Sequence, residues 1–167
     1  MILSKLFSNK PSPADNLYAA IVAAARQPYF YTDLEVPDTV DGRFDMIVLH
    51  EFLVLDRLKK DTPALCQEIT DLFFDDMDRS LREMGVGDLS VGKKVRKMAE
   101  AFHGRLNAYA LGMEQGDQTL IEALQRNVYG GKASASAKNL AKWVKEAKAS
   151  LASQTTADIA TAKVKFA

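Results

Sequence analysis

Cysteine is almost absent from this chain of 167 residues. Because Cys66 is the only one, no disulfide framework can form and no cluster of thiolates is available to bind zinc. The chain therefore fits a reducing compartment, and a core of this size is stable without disulfides or a structural metal. Histidine is also scarce, and His50 has no partner in the sequence that suggests acid–base or nucleophilic chemistry.

Long apolar runs are missing as well. The longest, at residues 46–55, carries His50 and Glu51 and is shorter than the roughly 20 apolar residues that span a bilayer. No cleavage site of small residues follows the apolar residues near the start of the chain, so no export signal is recognised. We expect residues 1–14 to form a flexible N-terminus.

Net charge is zero, with 22 basic and 22 acidic residues, but the charges are unevenly distributed. Residues 1–129 carry 15 Lys and Arg against 20 Asp and Glu, whereas residues 130–167 carry seven against two. A basic C-terminal region is typical either of a solvated helix rich in Lys and Ala or of a surface that contacts RNA or anionic lipid. The sequence does not choose between them.

Turn residues divide the chain into helical segments, and no alternation of apolar and polar residues is long enough to predict a sheet. The sequence therefore predicts an all-α fold, a single-domain bundle of five to six helices. The helices are predicted at residues 16–27, 43–60, 63–84, 90–115, 118–129 and 135–153. Residues 28–41 are predicted to be a long irregular connection. We expect a helical domain at 15–130, followed by a basic Lys- and Ala-rich C-terminal helix and tail at 131–167.

Two carboxylates occupy positions where apolar side chains are expected. At about 100° per residue, Asp76 falls within the apolar stripe of its helix, and Glu51 falls between Phe44 and Leu55 on the preceding helix. A buried carboxylate needs a hydrogen-bond donor, so this placement predicts a buried polar network around Glu51 and Asp76. The candidate donors are Arg43, His50, Arg105 and Tyr109.

A metal site is the alternative interpretation of these acidic residues. Glu100 and His103 have the Glu-x-x-His spacing of di-iron helix bundles, which use two such motifs and two further carboxylates. With Glu51 and Asp76 they would form a metal-dependent helical-bundle enzyme. Only one copy of the motif exists, however, and Glu100 projects away from the apolar face of its helix. We therefore predict no metal site, and the enzyme stays an alternative hypothesis.

A basic patch is the first candidate for contact with a partner. Lys93, Arg96 and Lys97 lie opposite the apolar face of their helix. They form either an ordinary solvated face or a contact for RNA phosphates or acidic lipid.

An aromatic segment is the second candidate. Tyr29, Phe30 and Tyr31 adjoin the turn-rich connection, where they either anchor a loop or line an exposed apolar groove. The six methionines of the chain could make such a surface adaptable, although core filling is their commoner use.

Three stretches form the most specific signal in the sequence. They are VPDTVDGRFDMIVLH at 36–50, DDMDRSLREMGVGDLSVGKKV at 75–95 and MAEAFHGR at 98–105. On these stretches the chain resembles the ubiquinol–cytochrome c chaperone family, over about residues 17–129. The resemblance implies a non-catalytic α-helical assembly factor without a cofactor. Members of the family hold newly made cytochrome b and pass it toward the bc1 respiratory complex, so nascent cytochrome b is the implied partner.

Further partners are implied by the mitochondrial relatives in this family. By that analogy the chain would contact the ribosome near its exit tunnel as well as nascent cytochrome b. Peripheral contact with the membrane, and a heteromeric assembly partner that the sequence does not identify, are further candidate interactions. The lack of a presequence rich in Arg and Ser, and the Lys- and Ala-rich helix after Gly131, fit a bacterial-type member. We expect a cytoplasmic protein, at most peripheral to the inner membrane. A generic helical adaptor for another membrane or ribosomal client is a further alternative.

Overall fold

Eight α-helices make up the computed structural model, which describes residues 10–167 and contains no strand among them. In chain order they are α1 (Pro13–Ala25), α2 (Pro28–Thr32), α3 (Val40–Leu58), α4 (Pro63–Glu83), α5 (Asp88–Gln115), α6 (Asp117–Val128), α7 (Ala135–Ala152) and α8 (Thr156–Ala160). The six long helices correspond to the six predicted ones, so the all-α bundle is confirmed. Within the described range, none of these helices is both long and apolar enough to cross a membrane.

The sequence pattern does not predict the two short helices, α2 and α8. It predicts an irregular connection at residues 28–41, where α2 lies. Pro28 occupies the first position of α2, where its fixed backbone angle favours a helix. Thr155 caps α8, and its hydroxyl accepts a hydrogen bond from the Asp158 N–H at 3.1 Å. Each helix has only five residues, which is too short for a helical period to be recognised.

A capping box starts α1. The Ser12 hydroxyl accepts a hydrogen bond from the Asp15 N–H at 3.1 Å, and the Ser12 N–H donates to the Asp15 carboxylate at 2.7 Å. The helix therefore begins at Pro13, inside the segment predicted to be flexible. Residues 1–9 of that segment lie outside the described residues.

The central element is α3, which packs against α1, α4, α5, α6 and α7. Twelve of its 19 residues are buried, as expected for a helix that is apolar nearly all round. Beside it, α5 and α6 pack against each other and are joined at Gly116. Gly112 permits their close approach, because a Cβ at this position would lie 2.7 Å from the Cα of Leu120.

The C-terminal helix α7 belongs to the same hydrophobic core as the rest of the bundle. Its apolar stripe is buried, including Leu140, Trp143 and Val144. Two of its lysines are paired with acidic residues elsewhere on the protein. The pairs are Lys145 with Asp117 at 2.8 Å and Lys148 with Asp56 at 2.9 Å. The helix after residue 130 therefore shares one hydrophobic core with the rest of the bundle, and part of the basic C-terminal charge forms ion pairs within the fold.

His50 lies in an aromatic part of this core. The ring is fully buried, with the rings of Phe30, Trp143 and Phe166 each within 5.0 Å of it between centroids. Its Nδ1 lies 2.8 Å from the carbonyl oxygen of Met46 and donates to it. Burial lowers the pKa of His50 to about 4, because the charged form is poorly solvated there. At neutral pH the imidazole is therefore uncharged and packs as a core aromatic ring.

Candidate functional site

An apolar groove of about 320 Å³ opens on the surface between α3, α4 and α5. We call it the methionine groove because Met77, Met84 and Met98 all line it. Its other lining residues are Arg26, Val40, Arg43, Phe44, Ile47, Ser80, Leu81 and Glu83. Val40 is 63% exposed and Met84 is 56% exposed, so apolar side chains at this groove face solvent.

The spacing of apolar residues on two helices produces this groove. On each of them, three apolar residues recur at intervals of four and three and so lie on one face. They are Val40, Phe44 and Ile47 on α3, and Met77 and Leu81 on α4 with Met84 at its C-cap. Unbranched thioether side chains adapt to differently shaped apolar surfaces, and exposed apolar patches mark sites of interaction. The groove is therefore suited to an apolar segment of another molecule.

A second cavity of about 610 Å³ adjoins the methionine groove and is formed by the start of α3, the middle of α5 and the end of α6 with the turn that follows it. The two cavities share the lining residues Val40, Phe44 and Met98. We call the second one the cationic cleft because four basic side chains line it. They are Lys97, Arg105, Arg126 and Lys132.

One of these four cations is neutralised by a buried carboxylate. The Nε of Arg105 donates to the Oδ1 of Asp45 at 2.8 Å, and the Arg105 guanidinium lies over the Phe44 ring, 5.5 Å from its centroid. Burial raises the pKa of Asp45 to about 6, and the neighbouring Arg105 opposes this shift. At neutral pH the carboxylate is mostly ionised and cancels the charge of Arg105.

The other three cations of the cleft are free for a ligand. Among the described residues, no acidic side chain forms an ion pair with Lys97, Arg126 or Lys132. Asp41 also lines the cleft and offsets one of these charges. The cleft therefore keeps a net positive charge directly beside an apolar groove.

The two carboxylates predicted to share a network lie in different surroundings. Glu51 is completely buried in the core, with 0% solvent exposure, and neither of its carboxyl oxygens has a hydrogen-bond partner. Burial raises the pKa of Glu51 well above its ordinary value, because the ionised form is poorly solvated in the core. Asp76 is only partly buried and accepts hydrogen bonds from the Tyr18 hydroxyl at 3.0 Å and from Arg79 at 2.6 Å.

Three of the predicted donors are engaged elsewhere. Arg43 donates to Asp38, His50 donates to a backbone carbonyl, and Arg105 donates to Asp45. The residue that does approach Asp76 is Tyr18 of α1, which the helix projection does not reveal because it comes from another part of the chain. No hydrogen-bonded network joins Glu51 to Asp76 within residues 10–167.

The four residues of the metal alternative are not brought together. Glu51 is in the core, whereas Glu100 and His103 are exposed on α5. In the part of the chain that the structure describes, no three His, Cys, Asp or Glu side chains are placed to share a metal ion. The geometry therefore gives the metal-dependent enzyme no support.

The predicted aromatic contact segment is mostly part of the fold. Phe30 is buried against Trp143, with 4.8 Å between ring centroids, so it is a core residue rather than a contact for a partner. Tyr31 is partly buried, and its hydroxyl donates to the Ala25 carbonyl at 2.9 Å. Tyr29 is 47% exposed and remains available at the surface.

The predicted basic patch is exposed on α5, and one of its members lines the cationic cleft. Lys93, Arg96 and Lys97 are all exposed, but only Lys97 lines the cleft. Its partners there, Arg126 and Lys132, are not singled out by the sequence pattern, because they lie about 30 residues further along the chain and come close only through the packing of α5 and α6.

The protein is thus an all-α helical bundle that carries an apolar groove beside a positively charged cleft on its surface. A model of the ubiquinol–cytochrome c chaperone family matches residues 32–166, and the chain belongs to this family. The match continues through α7 and α8, beyond residue 129, where the sequence resemblance was expected to end.

Individual relatives agree with this membership. Ubiquinol–cytochrome c reductase complex assembly factor 1 of Xenopus laevis is 26% identical over 115 residues, which are 67% of this chain and 58% of that protein. The mitochondrial protein Cbp3 of Saccharomyces cerevisiae is 32% identical over 110 residues, which are 62% of this chain and 33% of that protein. The chain thus spans about one third to three fifths of the length of these curated relatives.

A solved structure has the same fold. The crystal structure of the Cbp3 homolog from Brucella abortus is similar to this chain with a TM-score of 0.83 and 39% sequence identity. The similarity covers 93% of this chain and 88% of that one. This neighbour fits the bacterial-type membership that the sequence predicts.

Proposed function

We propose that this chain is a non-catalytic assembly chaperone of the cytochrome bc1 complex and that it binds newly made cytochrome b. The observation that carries the proposal is the family match over residues 32–166, supported by relatives named as assembly factors of the ubiquinol–cytochrome c reductase complex. The fold shared with the Brucella Cbp3 homolog adds to this support.

The methionine groove is the surface we assign to the client. A membrane protein that has not yet been inserted exposes apolar segments, and burying them removes apolar area from water at about 25 cal/mol per Å². The groove presents apolar side chains from α3 and α4 to solvent, and its three methionines can adjust to different apolar segments.

Loss of the encoding gene is expected to lower the amount of assembled bc1 complex, because cytochrome b would lack its chaperone. The measurements are membrane-bound cytochrome b, by its haem absorbance, and quinol oxidation through the complex. Restoring the wild-type gene should restore both. Normal values of both in the deletion strain would contradict the proposed function.

The variant Met84→Glu is expected to abolish client binding while the fold stays intact. Met84 is 56% exposed but lies at the C-cap of α4, where a carboxylate is unfavourable, so the substitution should cost no more than about 1 kcal/mol of stability. A carboxylate in the groove would have to lose its water when an apolar segment binds, which is costly. Co-purification of cytochrome b with the tagged variant in cells measures the effect.

Leu111→Glu is the matched control for this variant. Leu111 is an exposed apolar residue on α5, 46% exposed, and it does not line the groove. The Leu111→Glu variant should bind cytochrome b as the wild type does. Equal binding by both variants would show that the methionine groove is not the client site.

We also propose that Lys93 and Arg96 of the basic patch contact a polyanionic surface, with ribosomal RNA as the first candidate and anionic lipid as the other outcome of the test, whereas Lys97, the third residue of the patch, lines the cationic cleft. All three side chains are exposed, and no ion pair within the described residues occupies them. Because each phosphate contact releases counterions, association should weaken steeply with salt.

Reversing the charges of Lys93 and Arg96 should release the protein from the ribosomal or the membrane fraction. Sedimentation of the variant and the wild type across a salt series measures this effect. Unchanged profiles would mean that these residues form an ordinary solvated face.

A further inference from the structure

The methionine groove and the cationic cleft lie side by side, share the lining residues Val40, Phe44 and Met98, and differ in chemistry. The methionine groove is lined mainly by apolar side chains, and the cationic cleft adds three cations without ion-pair partners. Because Phe44 and Met98 line both cavities, a segment bound in the methionine groove would lie directly beside the cationic cleft. Their volumes of about 320 and about 610 Å³ fall within the range of about 300–1,000 Å³ that is typical of ligand pockets.

We propose that the cationic cleft binds a carboxylate-bearing stretch of polypeptide that directly adjoins the apolar segment held in the methionine groove. This inference rests on the proposed function, since it assumes that the groove holds a polypeptide, and it adds the chemistry of the partner: an apolar face followed by acidic residues.

Charge complementarity is the first argument for an acidic occupant. Lys97, Arg126 and Lys132 come from α5, from α6 and from the turn after α6, and they converge on one cleft, where none of them has an ion-pair partner among the described residues. Asp45 does not neutralise these three cations, because it already forms an ion pair with Arg105. Asp41 offsets only one of the three charges. The start of α3 also faces the cleft and adds the partial positive charge of a helix N-terminus.

The walls of the cleft argue for polypeptide rather than nucleic acid. Single-stranded RNA is held by exposed aromatic rings on which bases stack. The two aromatic residues that line this cleft are not exposed in that way: Tyr129 is buried, with its hydroxyl donating to the Leu34 carbonyl at 2.7 Å, and the Phe44 ring is covered by Arg105. Apolar side chains such as Met98 and Val128 complete the lining, and they fit the side chains of a peptide better than a hydrated phosphate chain.

The experiment selects binders from a displayed library of random 16-residue peptides on the full chain. Wild-type protein should enrich sequences in which apolar residues at helical spacing are followed by Asp or Glu. For an enriched peptide, replacing Asp and Glu with Asn and Gln should weaken binding roughly tenfold, as expected for a few partly exposed charge contacts. The triple variant Lys97→Gln, Arg126→Gln, Lys132→Gln should bind the acidic and the amide peptides equally.

A charge-matched triple variant is the control. Lys60→Gln, Lys142→Gln and Lys163→Gln remove three exposed lysines that line neither cavity, so this protein should retain the preference for acidic peptides. Thermal unfolding checks that both triple variants are folded. A short oligouridine tested as competitor distinguishes the other occupant: if it binds wild type and not the cleft variant, the cleft is an RNA site and the proposal is overturned.

The proposal also fails if no peptide is enriched, if enriched peptides carry no acidic residues, or if the cleft variant keeps the acidic preference. None of these results touches the role in bc1 assembly, which the deletion strain tests separately. Conversely, a deletion strain with normal cytochrome b would leave an acidic-peptide preference standing as a property of the cleft.

Discussion

Replacing Glu51 with leucine is expected to stabilise the fold by about 1–3 kcal/mol at neutral pH, the usual cost of a buried polar group without a hydrogen bond. Glu51 is completely buried, and both of its carboxyl oxygens lack a partner. Leucine has a similar size and needs no partner, so the surrounding core does not have to rearrange. Thermal unfolding should show the gain as a rise in Tm of about 2–4 °C per kcal/mol for a chain of this length.

The same carboxyl group is expected to make the stability depend on pH. Because burial raises the pKa of Glu51 in the folded chain, that chain holds a proton which the unfolded chain releases above about pH 4.3. The contribution of Glu51 to the free energy of unfolding therefore falls as the pH rises from about 4.3 toward the raised pKa. Glu51→Gln, which cannot ionise, should differ from the wild type least at about pH 5 and most at about pH 8 in urea unfolding.

Glu114 provides the control for these measurements. It is an exposed glutamate on α5, so Glu114→Leu should change the stability by no more than about 0.5 kcal/mol and leave the pH dependence as it is. If the stabilities of wild type and Glu51→Gln run parallel across this pH range, the Glu51 carboxyl group is ionised in the folded protein and our interpretation is incorrect.

Gly42→Ala is expected to destabilise the protein by about 1–3 kcal/mol or more, which is the range for an overpacked core position. A Cβ at Gly42 would lie 1.9 Å from the carbonyl oxygen of Pro37, and a backbone atom cannot move aside as a flexible side chain can. The turn is also tied by the Gly42 N–H, which donates to the Thr39 hydroxyl at 3.1 Å. Since Pro37, Thr39 and Gly42 line the cationic cleft, the substitution should also weaken peptide binding there.

Gly92→Ala is the matched control for Gly42→Ala. Gly92 lies in the interior of α5, and a Cβ added there meets nothing within 4 Å. Alanine should therefore stabilise this helix by about 0.5–1 kcal/mol, the ordinary gain over glycine. Urea unfolding of the two variants should show shifts of opposite sign. A stabilising effect of Gly42→Ala would mean that the turn at residues 37–39 is not held against α3 as the structure shows.

The long helices could be predicted because their signal is local. Apolar residues at helical spacing and turn residues such as Gly116 lie within or next to the element that they define. The position of α3 at the centre also followed from its own residues, since a helix that is apolar on all sides has to be covered on all sides. The one-turn helices α2 and α8 contain too few residues to show a period.

The candidate site could be predicted only in part. The methionines of the groove lie within the sequence stretches that resemble the family, and Lys97 belongs to the predicted basic patch. Phe30 was assigned to a partner because nothing near it in the sequence shows that Trp143, more than 100 residues away, covers it. For the same reason, the sequence could not show that Tyr18 of α1 supplies the donor for Asp76.

The sequence by itself determined the long helices, the family and the polarity of each long helix face, because these depend on residues within one element or on extended stretches of sequence. Only the tertiary structure decided which faces were covered and which cations were left without partners. Asp45 forms an ion pair with Arg105 across the contact between α3 and α5. The packing of α5 against α6 places Lys97 in the same cleft as Arg126 and Lys132. Ion pairing and burial are set by distances between elements, and those distances are fixed only when the helices pack.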